Sequence, residues 1–443
     1  MKRRQFLATA PALAFGGSAL PSPIRRGART SPRVALIGCG WYGKNDLLRL
    51  IQVAEVDVVG LCDVDSEMLA GAKDLLRERQ PGHRPETFRD YRRMLARAKP
   101  DIVLIATPDH WHALQAIDAL KAGCHLYLQK PVGVDVRECE AILAAARHAG
   151  RVVQIGLQRR STPHLLEMKA NYLDTGLIGE VHHVEMSCYY HMRDRAVREE
   201  KPVPDHFDYD HWTGPAPLLP YRGLPHRRWR AFRAYGNGIV GDMCVHYFDT
   251  VRWLLGLGWP ARISSQGGIY VDTAADATTS DTQTAVFEYP DRKLNCHWTH
   301  RSWGQAPDPD WPWSFTLYGT NGTLRASTLR YEWRPKKGDP VGVDATYERE
   351  QFPEDVTEKG MEIHVAPATR AHMTDFLAAI EEGRRPAADI EEGYVSTAAC
   401  ILANLACDLG RPLAYDPASK AIRDDPEATA LLARTYRAGY ARP

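Results

Sequence analysis

The stretch from Val34 to Asp63 limits this chain to very few folds. It reads VALIGCGWYGKN, then an amphipathic segment, then VDVVGLCD. An apolar strand runs straight into Gly38-Cys39-Gly40-Trp41-Tyr42-Gly43. A helical pattern follows, with Leu47, Leu48, Leu50 and Ile51 apolar. A second apolar strand ends in Asp63, twenty residues after Gly43. This is the order of a mononucleotide-binding βαβ unit. Gly38 permits the tight turn, Gly40 lets backbone approach a pyrophosphate, and Gly43 lets helix and strand pack closely. The helix N-terminus offers free N–H groups to the phosphates. Asp63 accepts hydrogen bonds from ribose hydroxyls and repels a 2′-phosphate, which favours NAD over NADP.

Strands and helices keep alternating after this unit. Ser66 to Arg79, Trp111 to Ala122 and Val136 to Ala149 read as helices, and Asp90 caps a short one ending at Arg97. Ile102 to Ala106, His125 to Gln129 and Val152 to Ile155 read as buried strands, and Thr87-Phe88 as a short one. The pattern predicts a doubly wound parallel sheet over residues 32–156. Ligands on such sheets sit at the carboxyl ends of the strands. That edge collects Thr107-Pro108-Asp109-His110-Trp111-His112, Gln129-Lys130-Pro131 and Gln158-Arg159. Trp41, Tyr42, Thr107, Pro108, His112, Gln129, Lys130 and Gln158 are therefore expected around the cofactor. Arg159 is expected toward a substrate.

Residues 157–443 form the second unit. HHVEMSCYYH alternates, as a strand lining a pocket does, and brings His191 toward the substrate. A long polar loop to Arg233 carries Trp212, Tyr221, Trp229 and Tyr235. Each could stack on a sugar ring, Trp229 first among them, or simply pack. In GDMCVHYFD, Asp242 and His246 are four apart on an expected helix and share a face. Imidazole is a suitable acceptor for the proton of an alcohol being oxidised. Lys130, at a buried strand end, can polarise the same hydroxyl. Beyond Pro260, four alternating segments read as strands: Arg262 to Tyr270, Thr282 to Tyr289, Leu294 to Arg301 and Trp313 to Tyr318. Two later segments read as helices, His364 to Glu382 and Glu391 to Leu409.

Taken together, ALIGCGWYGKN, ATPDHWHA, the Lys130-Pro131 pair and GIVGDMCVHYFD resemble the Gfo/Idh/MocA family. Several things follow from that resemblance: a Rossmann domain followed by an α+β domain with a large, open, mostly antiparallel sheet, a homodimer or homotetramer built on that sheet, and bound NAD. It also implies a carbohydrate or polyol substrate and a catalytic set of Lys130, Asp242 and His246. Family members commonly carry Glu-Lys-Pro where this chain has Gln129-Lys130-Pro131, so one carboxylate is missing beside the lysine. Three activities fit: oxidoreduction of a CH–OH group, glycoside hydrolysis or elimination through transient oxidation, and sugar sensing without catalysis. The second needs another base, for which His191, Tyr190 and His110 are the candidates.

Composition closes off other classes. The chain has 443 residues and a formal net charge of +1, with no basic stripe past the leader, which argues against nucleic acid. No apolar run approaches the ~20 residues of a membrane span. The nine cysteines are odd in number and lack any C-x-x-C, so they read as reduced core residues and not as a disulfide or metal framework. Residues 1–31 carry Arg3-Arg4 before Gln5-Phe6-Leu7 and a weakly apolar run, which resembles a twin-arginine export signal. Export of an already folded protein to the periplasm by the twin-arginine machinery is the expectation, and it agrees with reduced thiols.

Overall fold

The computed structural model describes residues 31–189, 195–223, 228–357 and 361–443. The leader up to residue 30, Tyr190 and His191 lie outside the described residues. The first unit contains strands β1 (Arg33–Ile37), β2 (Asp57–Cys62), β3 (Glu86–Phe88), β4 (Ile102–Ile105), β5 (His125–Leu128) and β6 (Val153–Ile155). They form one parallel sheet in the order β3-β2-β1-β4-β5-β6. Helices α1 (Trp41–Val53), α2 (Ser66–Arg79), α3 (Tyr91–Ala98), α4 (His112–Lys121) and α5 (Val136–Ala149) connect them. The order reverses at β1 and β4, which creates the crevice where such sheets bind ligands. Short polar residues start the helices. Asp65, Asp90 and Asp135 accept from the first free backbone N–H groups of α2, α3 and α5. Gly150, in the left-handed region, ends α5.

The second unit is built on an eight-stranded sheet. Its strands are β7 (Val181–Cys188), β8 (Arg262–Gly268), β9 (Thr282–Tyr289), β10 (Leu294–Arg301), β11 (Trp313–Gly319), β12 (Gly322–Ala326), β13 (Arg330–Pro335) and β14 (Val341–Asp344). Their order is β14-β13-β12-β11-β7-β10-β9-β8. Only β7 and β10 run parallel; the other pairings are antiparallel. One face carries Val184, Met186, Trp298, Phe315 and Leu317, all buried in the main core with helices Val245–Leu255 and Ile390–Leu409. The strands β12 to β14 extend the sheet beyond the four sequence segments. They are short, and charged residues interrupt their apolar positions.

Two short helical stretches depart from plain α geometry. Lys169–Leu173 and Val240–Cys244 are π-turns, a form frequent at functional sites. Helix Ala366–Glu382 crosses back to the first unit. Its Met373, Phe376, Ala379 and Ile380 share a core with Val34 and Leu36 of β1 and Leu47 and Leu50 of α1. The division at residue 156 is therefore a boundary in sequence, and packing crosses it. All nine cysteines are free and eight are buried, as their spacing suggested. Among the described residues, no helix is long and apolar enough to cross a membrane.

Candidate active site

The ends of β1, β2, β4 and β5 are stitched together by backbone. Gly38 N donates to Cys62 O at 2.9 Å, Ala106 N to Ile37 O at 2.9 Å and Gln129 N to Ile105 O at 2.9 Å. A cleft opens above them, lined by Gly38, Gly40, Trp41, Tyr42, Asp63, Thr107, Pro108 and Trp229 among others. Gly38 has φ +91°, and a Cβ there would meet Ala106 and Thr107 backbone at 2.7 Å. A Cβ on Gly43 would lie 1.9 Å from Gly38 O, so this glycine is a packing requirement. Gly40 is different: a Cβ on it meets no atom within 4 Å. Its missing side chain leaves free space in front of α1, whose N-cap receives no side-chain bond. The Asp63 carboxylate accepts from Cys39 N at 2.7 Å and Asp65 N at 2.9 Å, which fixes it at the cleft wall. A glycine cradle, an open helix N-terminus and a fixed carboxylate fit a dinucleotide.

The cleft shares Trp41, Tyr42, Ala106, Thr107 and Arg230 with a second cavity of about 320 Å³. This cavity is lined by Gln129, Lys130, Gln158, Arg159, Asp242 and His246. Lys130 Nζ donates to Asp242 Oδ1 at 2.6 Å and to Asp242 O at 2.8 Å. Arg230 Nε donates to the same carboxylate oxygen at 3.0 Å. Burial would raise the Asp242 carboxyl, but Lys130 and Arg230 hold it below the usual carboxylate range. Burial also lowers the Lys130 ammonium, against the pull of Asp242. His246 is pushed well below the ordinary imidazole range, first by burial and then by the cations Lys130 and Arg159. Its Nδ1 is buried without a hydrogen-bond partner. A neutral imidazole, a fixed ammonium and a fixed carboxylate thus meet in one cavity. Such a set can remove a hydroxyl proton and stabilise the resulting alkoxide.

Gln158 Nε2 donates to the Tyr42 hydroxyl at 2.9 Å, so these two residues close the cavity wall together. Gln129 Nε2 donates to buried Asp46 at 2.7 Å. The carboxyl absent at position 129 therefore has a neighbour on α1, where burial pushes it up to about 8.

Three expected placements change. His112 lines neither space. It is fully buried, with Nδ1 2.8 Å from Pro131 O and Nε2 3.0 Å from Thr107 O, and it holds both loops from behind. Trp229 lines the nucleotide cleft and packs with Phe207, Tyr209, Trp212 and Tyr235, away from the Lys130 cavity. His110 points to Trp212 O at 3.0 Å and lines another depression, not the Lys130 cavity. Trp298 and His300 are fully buried core residues.

Sequence reasoning missed Asp109, Arg230, Trp313, Thr328, Glu362 and His364, all on the cavity wall. Asp109 is 5% exposed. Burial pushes its carboxyl up to about 8, against the pull of Arg230 and Lys130. Two carboxyl groups of one cavity thus have opposite tendencies, Asp242 ionised and Asp109 protonated near neutrality. The native state keeps the Asp109 proton between its unfolded pKa of 3.8 and about 8. Stability is therefore lost as pH rises through that window. Thermal unfolding of Asp109→Asn against the native protein should show a Tm advantage that grows from pH 4 to 8 and then levels off. A constant difference would contradict the assignment.

A Rossmann sheet whose glycine loop opens onto a Lys-Asp-His cavity is a dinucleotide-binding architecture set beside a cavity suited to chemistry on a hydroxyl. The comparisons agree. Residues 32–157 match the model described as an oxidoreductase family, NAD-binding Rossmann fold. Residues 169–325 match the GFO/IDH/MocA C-terminal domain, and 346–442 an oxidoreductase C-terminal alpha/beta domain. The chain belongs to the Gfo/Idh/MocA oxidoreductase family. It is 24% identical over 200 residues to glycosyl hydrolase family 109 protein 1 of Akkermansia muciniphila, which covers 43% of this chain and 40% of that protein. It is 27% identical over 186 residues to the inositol 2-dehydrogenase/D-chiro-inositol 3-dehydrogenase of Lactiplantibacillus plantarum, covering 41% and 51%. These matches span about half or less of each relative's length. The solved oxidoreductase from Agrobacterium radiobacter in complex with NAD+, L-tartaric acid and magnesium superposes with a TM-score of 0.67. It is 17% identical and covers 87% of this chain and 98% of that one.

Proposed function

We propose that the chain oxidises or reduces a CH–OH group of a sugar, sugar derivative or polyol, using NAD that stays bound between turnovers. One observation supports this reading: His246, whose Nδ1 has no hydrogen-bond partner, lines the same cavity as the Lys130–Asp242 pair, and that cavity shares its wall with the nucleotide cleft. NAD held by Gly38, Gly40 and Asp63 would supply the hydride acceptor. His246 takes the hydroxyl proton. Lys130 faces the developing alkoxide, and Asp242 fixes the lysine while Arg230 fixes Asp242. Asp63 favours NAD over NADP because its carboxylate would meet a 2′-phosphate.

A redox-neutral hydrolase or lyase is the second reading. The family 109 relatives favour it, and Asp109, a cavity carboxyl that keeps its proton near neutrality, would serve it as the acid that protonates the leaving group and not as the second base. The Arg3-Arg4 leader supports export to the periplasm, where a tightly held cofactor and a closed redox cycle would make sense. The half-exposed sheet face around His183, Glu185 and His297 supports a homodimer or homotetramer.

The first test is denaturation of the purified protein followed by assay of the supernatant for NAD(H) and NADP(H). Near-stoichiometric NAD(H) is expected. An empty protein that binds NAD only weakly would overturn the bound-cofactor reading. A glycoside hydrolysed without net NADH would select the second activity.

A further inference from the structure

Arg159 stands apart from the other cations of the cavity. Lys130 and Arg230 both spend their charge on Asp242. The neighbouring Arg160 is fully engaged: it holds Asp249 through two bonds of 2.8 Å and reaches Glu392 at 3.0 Å. Arg159 is 6% exposed and lines the cavity, and its Nη1 is buried without a hydrogen-bond partner. Its guanidinium lies 3.9 Å over the ring of Tyr247. That stack offsets part of the cost of removing the cation from water, and Nη1 is left to donate to a ligand. A buried guanidinium without an anion is costly unless a ligand brings one.

We propose that Arg159 is an anion subsite of the cavity and that the substrate is an acidic carbohydrate, such as a uronic or aldonic acid, whose carboxylate it holds. This rests on the reading of the cavity as a carbohydrate CH–OH site. The planar fork of Arg matches a planar carboxylate through two parallel bonds, and a carboxylate on a sugar ring leaves its hydroxyls for Lys130 and His246. The position also couples recognition to chemistry. Tyr247, the platform under Arg159, is the residue after His246, and the Arg159 charge is among the causes that depress the His246 imidazole. An anion on Arg159 cancels that field and makes His246 a stronger base when the right substrate is present.

Calorimetric titration of the NAD-loaded full-length protein tests this, with glucuronate, gluconate, glucose 6-phosphate, methyl glucoside and myo-inositol as probes. The carboxylates should bind about tenfold or more tighter than the neutral probes. Arg159→Met should lose that margin, and Arg159→Lys should keep part of it. In the pH profile of kcat/KM, Arg159→Met should move the acid limb to higher pH, because His246 loses a depressing cation. A purely structural Arg159 would lower the affinities for charged and neutral probes together. Equal or tighter binding of the neutral probes overturns the proposal and leaves the oxidoreductase reading standing. A preference for the phosphate probe overturns the carboxylate assignment. Failure of every probe to bind or to reduce bound NAD overturns both.

Discussion

Replacing His246 with alanine should lower kcat/KM by about 100- to 10,000-fold, the usual contribution of a positioned general base. NAD binding should persist, because His246 lines the substrate cavity and not the nucleotide cleft. The native pH profile is equally specific. An ordinary imidazole would impose a break near 6.5, whereas His246 is depressed well below that by burial, Lys130 and Arg159. The base should stay competent through the whole neutral range, with any loss of activity confined to more acid solution. Steady-state rates of both proteins between pH 5 and 9 check this. Turnover by His246→Ala at the native rate would remove the proposed chemistry, because among the described residues the one other imidazole lining this cavity is His364, which Glu362 engages at 3.1 Å.

Gly40→Val should abolish measurable NAD binding while leaving the fold intact. A Cβ at Gly40 has no protein atom within 4 Å, and the branched side chain extends into the space that a pyrophosphate needs. Gly43→Ala provides the contrast. Its Cβ would fall 1.9 Å from Gly38 O, so the helix must move away from the strand. A cost of about 1–3 kcal/mol in stability is expected from such overpacking. Denaturation midpoints and NAD titration of the two variants should therefore dissociate: lost binding with a native midpoint for Gly40→Val, a lowered midpoint for Gly43→Ala. A stable Gly40→Val protein that binds NAD normally would mean that the cofactor does not approach this loop.

The Rossmann half was legible because its signals are local. Apolar runs, Asp caps and terminal glycines repeat at short range, and the βαβ unit carries its own spacing. Lys130, Asp242 and His246 were legible because strand ends and a shared helix face place them by rule. What failed was direction and distance. His112 lies on the right sheet edge, but its ring turns inward to two carbonyls, and no pattern in the sequence reports that. Asp109 looks like any acid starting a helix; only the cavity around it reveals its proton. Arg230 sits among several arginines of RRWRAFR, and Glu362 and His364 come from a segment without periodicity, so nothing singled them out. The π-turn at Val240–Cys244 has no sequence signature distinct from the helix it precedes.

Helix Ala366–Glu382 has a consequence for how the molecule comes into being. Its apolar face completes the core behind β1 and α1, and Asn45 of α1 is bonded by Glu362 N at 2.8 Å. During synthesis the strands of the nucleotide-binding sheet are complete by Ile155, yet the helix that finishes the core on this face begins some two hundred and ten residues later, at Ala366. The backing of the dinucleotide-binding sheet is therefore complete only after most of the second unit has been translated. Completion of this core is thus a late event in biogenesis, and it requires the chain to have been made at least as far as Ile380.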